Sequence, residues 1–216
     1  MRSRILILIT LTCVLTAAVA SAAVAGSERR SDIPACEELL TLRQAAAAMG
    51  EPYAFIVGRA VDGSSTRRCD YGGGATGAGV GHAIDVSWGP YADYRKRLQS
   101  SGKKFICPVS KDACRNIAKA VKAKSNRLSF AFFERAVEQV GSAKPLQSAA
   151  FEGNPAILWV PDKAMAPLDE LSWMFVYISQ SASLLAVSCA DNVANTPTPD
   201  TRCAIAAAKT AYNNVS

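Results

Sequence analysis

The side chains that could do covalent chemistry are few in this sequence. His82 is the only histidine among 216 residues, so a Ser-His-Asp or Cys-His device would have to use it. Asp85 follows three residues later, and that spacing on a strand places the two side chains on opposite faces. No Gly-x-Ser-x-Gly sequence presents a serine nucleophile. The sequence therefore predicts no catalytic residue, and it places His82 at a loop edge where a strand begins.

Paired carboxylates are the other source of acid–base chemistry. Glu37/Glu38 and Asp169/Glu170 are the adjacent pairs, and both lie among polar neighbours. Adjacent residues do not share a helix face, so we expect solvated surface positions. A secreted hydrolase that uses carboxylates without a recognisable motif is the alternative hypothesis for function.

Six cysteines follow the first 25 residues. An even number in an exported chain indicates disulfide bonds, and oxidised cysteines leave no thiolate nucleophile. Six cysteines allow 15 connectivities, among which sequence alone does not choose. Short loops cost the least entropy to close, which favours the pairs Cys36–Cys69, Cys107–Cys114 and Cys189–Cys203.

Metal and cofactor signatures do not emerge from the spacing. Structural zinc sites use cysteines two to four residues apart, whereas six residues separate Cys107 from Cys114. The glycine-rich stretch 72–81 is not followed by Gly-Lys-Ser/Thr, and a strand pattern rather than a helix comes next. The sequence predicts a hairpin loop there, no metal site and no cofactor.

Residues 1–25 have the layout of a secretory signal peptide. Arg2 and Arg4 precede an apolar run, Ile5 to Val19, and Ala-x-Ala sequences end at Ala22 and Ala25. The alternative is a retained membrane anchor, because a spanning helix needs about 20 apolar residues and this segment would just reach that length. Cleavage predicts a secreted or periplasmic protein.

Removal of residues 1–25 leaves 22 basic and 18 acidic residues, a net charge of +4. About 190 residues suffice for one domain with a sizeable core. We expect a flexible lead-in at 26–34 and a single domain at 35–216, with no transmembrane segment in the mature chain.

Hydrophobic periodicity predicts the elements of this domain. Helices are expected at 34–49 (ended by Gly50), 91–101 (ended by Gly102), 112–124, 128–140 and 202–212. Strands are expected at 67–71, 83–88, 156–160, 174–180 and 184–190, the last two joined by a hairpin. The predicted fold class is α+β, a single domain with an antiparallel β-sheet packed with helices and stapled by disulfides.

Three stretches resemble a family of small exported bacterial proteins and lipoproteins of unknown function: Cys36 to Thr41, Ala45 to Pro52, and Cys69-Asp70-Tyr71. Members begin with a helix that carries Cys and Leu-Leu-Thr and ends in Gly, followed by a strand with Cys-x-Tyr. The resemblance implies a location in the cell envelope, a Cys36–Cys69 bridge, Tyr71 in the core and, from some relatives, a PsbP-like sandwich. It brings no catalytic residue.

Basic residues concentrate between Lys103 and Arg127, where Asp112 is the only acid. On a helix, spacings of four, four and three place Lys111, Arg115, Lys119 and Lys122 in one stripe. Such a stripe can bind an anionic polymer or anionic lipid headgroups, or it can be an ordinary solvated face. Nucleic acid is not expected, because the stripe lacks aromatic stacking residues and the chain is exported.

These features predict a non-enzymatic exported protein of the cell envelope that binds a partner protein or an anionic envelope component. A binder of this kind should depend on the basic stripe and weaken steeply with salt. A hydrolase should instead have a pocket with convergent carboxylates of shifted pKa, away from that helix.

Overall fold

An antiparallel sheet of eight strands forms the centre of the computed structural model, which describes residues 33–52, 54–61, 65–73, 81–146, 149–166, 168–193 and 196–216. The strands are β1 (Ala54–Val61), β2 (Arg67–Gly73), β3 (Gly81–Pro90), β4 (Gly141–Leu146), β5 (Ala156–Pro161), β6 (Ser172–Ile178), β7 (Ser183–Val193) and β8 (Thr196–Pro199). Their order is β1-β2-β3-β7-β6-β5-β4, with β8 pairing to β7. The predicted signal peptide and the glycine-rich residues 74–80 lie outside the described residues.

Six helices of four or more residues accompany this sheet within the described ranges: α1 (Cys36–Leu39), α2 (Leu42–Met49), α3 (Tyr91–Ser101), α4 (Lys111–Lys122), α5 (Asn126–Val137) and α6 (Thr201–Val215). A π-helical segment, Gly102–Ile106, continues α3. The fold is therefore α+β, and Pro34–Ser216 forms one compact unit. No described helix has both the length and the apolar composition needed to cross a bilayer.

The sheet separates two hydrophobic cores. On one face, which we call the disulfide face, α1, α2 and α6 cover side chains such as Tyr71, Val86 and Val187. On the other, the aromatic face, α3, α4 and α5 cover Phe175 and Tyr177. Strands buried on both faces contain long apolar runs rather than strict alternation, as β6 does over its last five residues.

The prediction of one continuous helix at 34–49 was wrong for a physical reason. The first helix is broken at Thr41, whose side chain accepts a hydrogen bond from Gln44 N and restarts the chain as α2. Gly50 ends α2 with φ = 73°, as a left-handed cap. The helix predicted at 91–101 is confirmed as α3, and beyond it the chain continues as the π-helical segment that begins at Gly102. A Cβ there would lie 2.5 Å from Ile117 Cγ2, so this glycine permits the close approach of α4.

The buried side of α4 is formed mostly by alanines. The buried residues are Ala113, Ile117 and Ala120, while Ala118 is exposed. Small side chains at 113 and 120 allow α4 and α5 to approach closely, and Ser129 Oγ donates to Ala120 O across that contact at 2.7 Å. Strands β1, β4 and β8 were not predicted, because their residues do not form a clear apolar pattern.

The three disulfides are Cys36–Cys69, Cys107–Cys114 and Cys189–Cys203, the pairs that short loop closure favours. The first joins α1 to β2 on the disulfide face, and the third joins β7 to α6. Tyr71 is buried beside the first bridge. Its hydroxyl lies 2.8 Å from Cys36 O and 2.9 Å from Leu40 O, so it holds the break between α1 and α2.

We expect the bridges to contribute unequally to stability. The Cys36–Cys69 pair closes 33 residues of separation and the Cys107–Cys114 pair only 7. Loop-closure entropy then predicts losses of about 4 kcal/mol for C36A/C69A and about 2 kcal/mol for C107A/C114A. Urea unfolding of the oxidised proteins at 25 °C measures both. An equal or larger loss for C107A/C114A would contradict this order.

Candidate functional site

The predicted basic stripe lies on α4. Ser110 caps this helix by accepting a hydrogen bond from Ala113 N, and Lys111, Arg115, Lys119 and Lys122 are all exposed. Residues 103–127, which we call the basic segment, contain eight basic residues and one acid, a net charge of +7. The other 191 residues carry 16 basic and 17 acidic side chains. The whole positive balance of the chain therefore comes from the basic segment, whose eight cationic side chains are all exposed.

Apolar groups lie between these cations. Lys119 Nζ and Arg135 Cζ are each 5.8 Å from the centre of the Phe132 ring, within the range of a cation–π contact. Leu128 is 45% exposed at the start of α5. Arg115 pairs with Asp112, the one acid of the basic segment. This mixture of cations and exposed apolar carbon suits an amphipathic anionic surface better than a purely polar polyanion.

A cavity of about 230 Å³ lies on the aromatic face, between the sheet and the end of α3. Six aromatic rings line it: Tyr94, Phe105, Phe133, Trp159, Trp173 and Phe175. Ser101 also lines it and is exposed, so the cavity reaches the surface there. This cavity could not be predicted from the sequence, because its lining residues come from β3, β5, β6, β7, α3, α5, the π-helical segment and residue Leu168.

Hydrogen bonding is incomplete beside this cavity. Trp159 Nε1 and Trp173 Nε1 are buried and have no acceptor among the described residues. A buried donor without a partner costs about 1–3 kcal/mol. Packing therefore holds both indoles in place, and Trp173 stacks on Phe175 with ring planes 2° apart. Buried polar groups without hydrogen-bond partners are more common at functional sites than in ordinary cores.

Two carboxylates that the sequence analysis did not pair meet on the uncovered part of the same face. Asp70 on β2 lies directly opposite Asp85 on β3. Arg68 contacts both, with Nε 3.3 Å from Asp70 Oδ1 and Nη2 2.6 Å from Asp85 Oδ2. Burial raises the pKa of Asp85 to about 7; Arg68 opposes the shift and Asp70 adds to it.

Sheet register connects this charged cluster to the cavity. Trp159, Trp173, Ser188, Asp85 and Asp70 are successive partners across β5, β6, β7, β3 and β2. One row across the sheet therefore passes from the aromatic wall to the two carboxylates. The sequence could not show this row, because its members are up to 118 positions apart along the chain.

His82 is part of an ion cluster rather than a nucleophilic device. Its Nδ1 lies 3.1 Å from Glu51 Oε1, and its Nε2 lies 3.1 Å from Asp200 Oδ2 and 3.8 Å from Asp191 Oδ1. Carboxylates therefore lie at both ring nitrogens. The cluster ties β3 to the end of α2 and to Asp200, which also caps α6. No group of three or more metal-ligating side chains in the described ranges is arranged to hold a metal ion.

The two members of each adjacent carboxylate pair, Glu37/Glu38 and Asp169/Glu170, have different surroundings in the structure. Glu37 pairs with Arg59 at the surface, and Glu38 accepts a hydrogen bond from Ala35 N at the start of α1. Asp169 and Glu170 lie in a short 3₁₀ turn, Leu168–Glu170, next to the cavity wall. Glu170 is exposed, whereas one oxygen of Asp169 is buried without a partner in the described part of the chain.

Comparison with protein-family models, with curated proteins and with solved structures finds no match for this chain.

Asp85 should make stability fall as the pH rises. Its pKa is about 7 in the folded protein and near 3.8 without the protein environment, so the folded state binds an extra proton between about pH 4 and pH 7. The raised pKa favours the fold at low pH, and this advantage is lost through pH 7. We expect the stability of D85N relative to the wild type to increase from pH 4 to pH 8 by about 1–2 kcal/mol, after allowance for solvent screening of a side chain 25% exposed.

Urea unfolding at four pH values measures this change. D112N is the matched control, because it makes the same substitution at a side chain that is 63% exposed and lies outside the Arg68–Asp70–Asp85 cluster. A pH-independent difference between D85N and the wild type would contradict the assignment of the proton to Asp85.

Proposed function

We propose that this protein is a non-enzymatic protein exported to the bacterial cell envelope, where its basic segment binds anionic lipid headgroups. The observation that carries the proposal is the concentration of charge: +7 on residues 103–127, with every cationic side chain exposed. Each Lys or Arg near an anionic membrane contributes about 1 kcal/mol. A few engaged side chains therefore suffice for measurable association.

The surface chemistry favours lipid over a simple polyanion. Phe132 lies under Lys119 and Arg135, and Leu128 is exposed beside Arg127, so apolar groups accompany the cations. Interfacial binding combines buried apolar area with electrostatic attraction to anionic lipids. A partner protein with an acidic surface is the other occupant consistent with this charge.

Export is supported by the layout of residues 1–25 and by three disulfides, which persist in oxidising compartments. The resemblance to small exported bacterial proteins agrees with this location. A periplasmic or secreted protein would meet anionic headgroups at the membrane surface.

Charge reversal on α4 tests the headgroup site. We expect R115E/K119E to weaken binding to vesicles of phosphatidylcholine with 30% phosphatidylglycerol by at least about thirtyfold, because two attractions of about 1 kcal/mol each are lost and repulsion is added. Wild-type binding should also fall steeply between 50 and 500 mM salt. Co-sedimentation with sucrose-loaded vesicles measures both effects.

K144E/K209E is the matched control, because both lysines are exposed, lie outside the basic segment and give the same change in net charge. Equal loss in the two double variants would mean that only overall charge matters. Equal wild-type binding to pure phosphatidylcholine vesicles would refute the anionic headgroup as the ligand.

Intact mass and non-reducing peptide mapping of the protein from its native host test export. We expect a chain that begins at Ala23 or Gly26 and is six hydrogens lighter than its reduced form, because three disulfides form after cleavage. A retained leader or free thiols would contradict an exported, disulfide-bonded protein.

The second candidate function is a hydrolase, and the Asp70–Asp85 pair is the observation that favours it. An acid with a pKa of about 7 is suited to general acid–base catalysis. Arg68 Nη2 nevertheless lies 2.6 Å from Asp85 Oδ2 and pairs with that oxygen. An ion pair on a partly exposed face of the sheet explains this arrangement without a catalytic role. Binding is therefore the preferred function.

A further inference from the structure

We infer that the aromatic cavity binds the apolar group of an anionic amphiphile, with the acidic head at the surface near Lys104. The inference deepens the proposed function and rests on it for the charge of the head. The apolar part of the inference stands on the cavity alone. The ligand class is a small carboxylate or phosphate that carries an acyl chain or an aromatic ring.

The cavity wall selects an apolar group. Six of its thirteen lining residues are aromatic, and its polar side-chain atoms are the hydroxyls of Ser87, Ser101 and Tyr94 and the indole nitrogens of Trp159 and Trp173. Small-molecule sites are typically apolar and aromatic with a few polar groups that fix orientation. A sugar would leave most of its hydroxyl groups without partners here, and no carboxylate is among the lining residues to form an ion pair with a cation.

The volume of about 230 Å³ sets an upper limit on the buried group. An apolar cavity of about 150 Å³ holds benzene. This cavity therefore accepts a medium-length acyl chain or a bicyclic ring, but not the two long chains of a phospholipid. A vesicle lipid would insert at most part of one chain.

The π-helical segment Gly102–Ile106 connects the cavity with the basic segment. Gly102, Phe105 and Ile106 line the cavity, whereas Lys103 and Lys104 are exposed. Lys104 Nζ lies 4.8 Å from the centre of the Phe105 ring, a part of the cavity wall. A ligand with its apolar group against Phe105 would have its head within reach of this ammonium group. π-Helical turns also occur frequently at functional sites.

The cavity is difficult to explain as a packing defect. It opens to the surface at Ser101, yet lining residues such as Phe133, Trp159 and Phe175 are buried, so it reaches into the core of the aromatic face. The two unpartnered indoles beside it cost stability that a phenylalanine at either position would avoid. A binding site explains why the structure tolerates both features.

Tryptophan fluorescence provides a direct test. The chain has three tryptophans, and in W88F the two that line the cavity are the only ones that remain. We expect saturable, equimolar quenching of W88F by decanoate or by 2-naphthoate, the two probes distinguishing a chain from a ring. Decylammonium should bind at least about tenfold more weakly than decanoate, and K104E should weaken decanoate binding several-fold.

A bulky side chain at the cavity mouth supplies the matched variants. S101F places a ring at an exposed position that lines the cavity, and S100F places it one residue away, at an exposed position that does not. Made in the W88F background, S101F should reduce decanoate affinity at least about tenfold while S100F retains it. Circular dichroism and the melting temperature verify that both variants fold.

Absence of saturable quenching by either probe, or equal effects of S100F and S101F, would overturn the cavity as a site. Decylammonium binding as tight as decanoate binding would overturn the acidic head. The proposed function fails separately, because loss of vesicle binding in R115E/K119E does not depend on S101F. Wild-type protein that binds decanoate but not anionic vesicles would retain the cavity and refute the headgroup surface.

Discussion

Burial of both faces of one antiparallel sheet is the constraint on which the rest of this structure depends. Met174 and Val176 of β6 belong to one core, while Phe175 and Tyr177 of the same strand belong to the other. An antiparallel sheet ordinarily leaves one face to solvent, so the chain needs helices on both sides. Disulfides fasten the cover of one face, since Cys36–Cys69 and Cys189–Cys203 each join a helix to a strand. The cover of the other face is held chiefly by aromatic packing.

Helices cover only part of the aromatic face, and this partial cover produces both the cavity and the charged cluster. Helices cover β5, β6 and β7, whereas on the same face of β1 and β2 the side chains of Val57 and Arg68 are exposed. The aromatic cavity and the Arg68–Asp70–Asp85 cluster both lie along the transition between covered and open sheet. Partial burial at this border raises the pKa of Asp85. A fully solvated or a fully covered face would produce neither an open cavity nor a carboxyl group of this kind.

The sequence predicted what depends on local pattern and missed what depends on sheet register. The strand at 83–88 and the shared helix face of Lys111 and Arg115 were predicted, because both follow from neighbours a few residues apart. The pairing of Asp70 with Asp85, and of Trp159 with Trp173, depends on which strands meet and in what register. The close approach of Gly102 to Ile117 could not be predicted for the same reason, since it is a tertiary contact.

Geometry couples the two proposed binding features through five residues. The π-helical segment has an inner side that lines the cavity and an outer side that carries two exposed lysines. A wider turn than that of the α-helix alters which side chains share a face, so Phe105 can line the cavity while Lys104 remains in solvent above its ring. An anion at this lysine and an apolar group against this phenylalanine would then belong to one molecule. Neither contact alone needs to be strong, because an amphiphile that makes both avoids the entropic cost of binding two separate ligands.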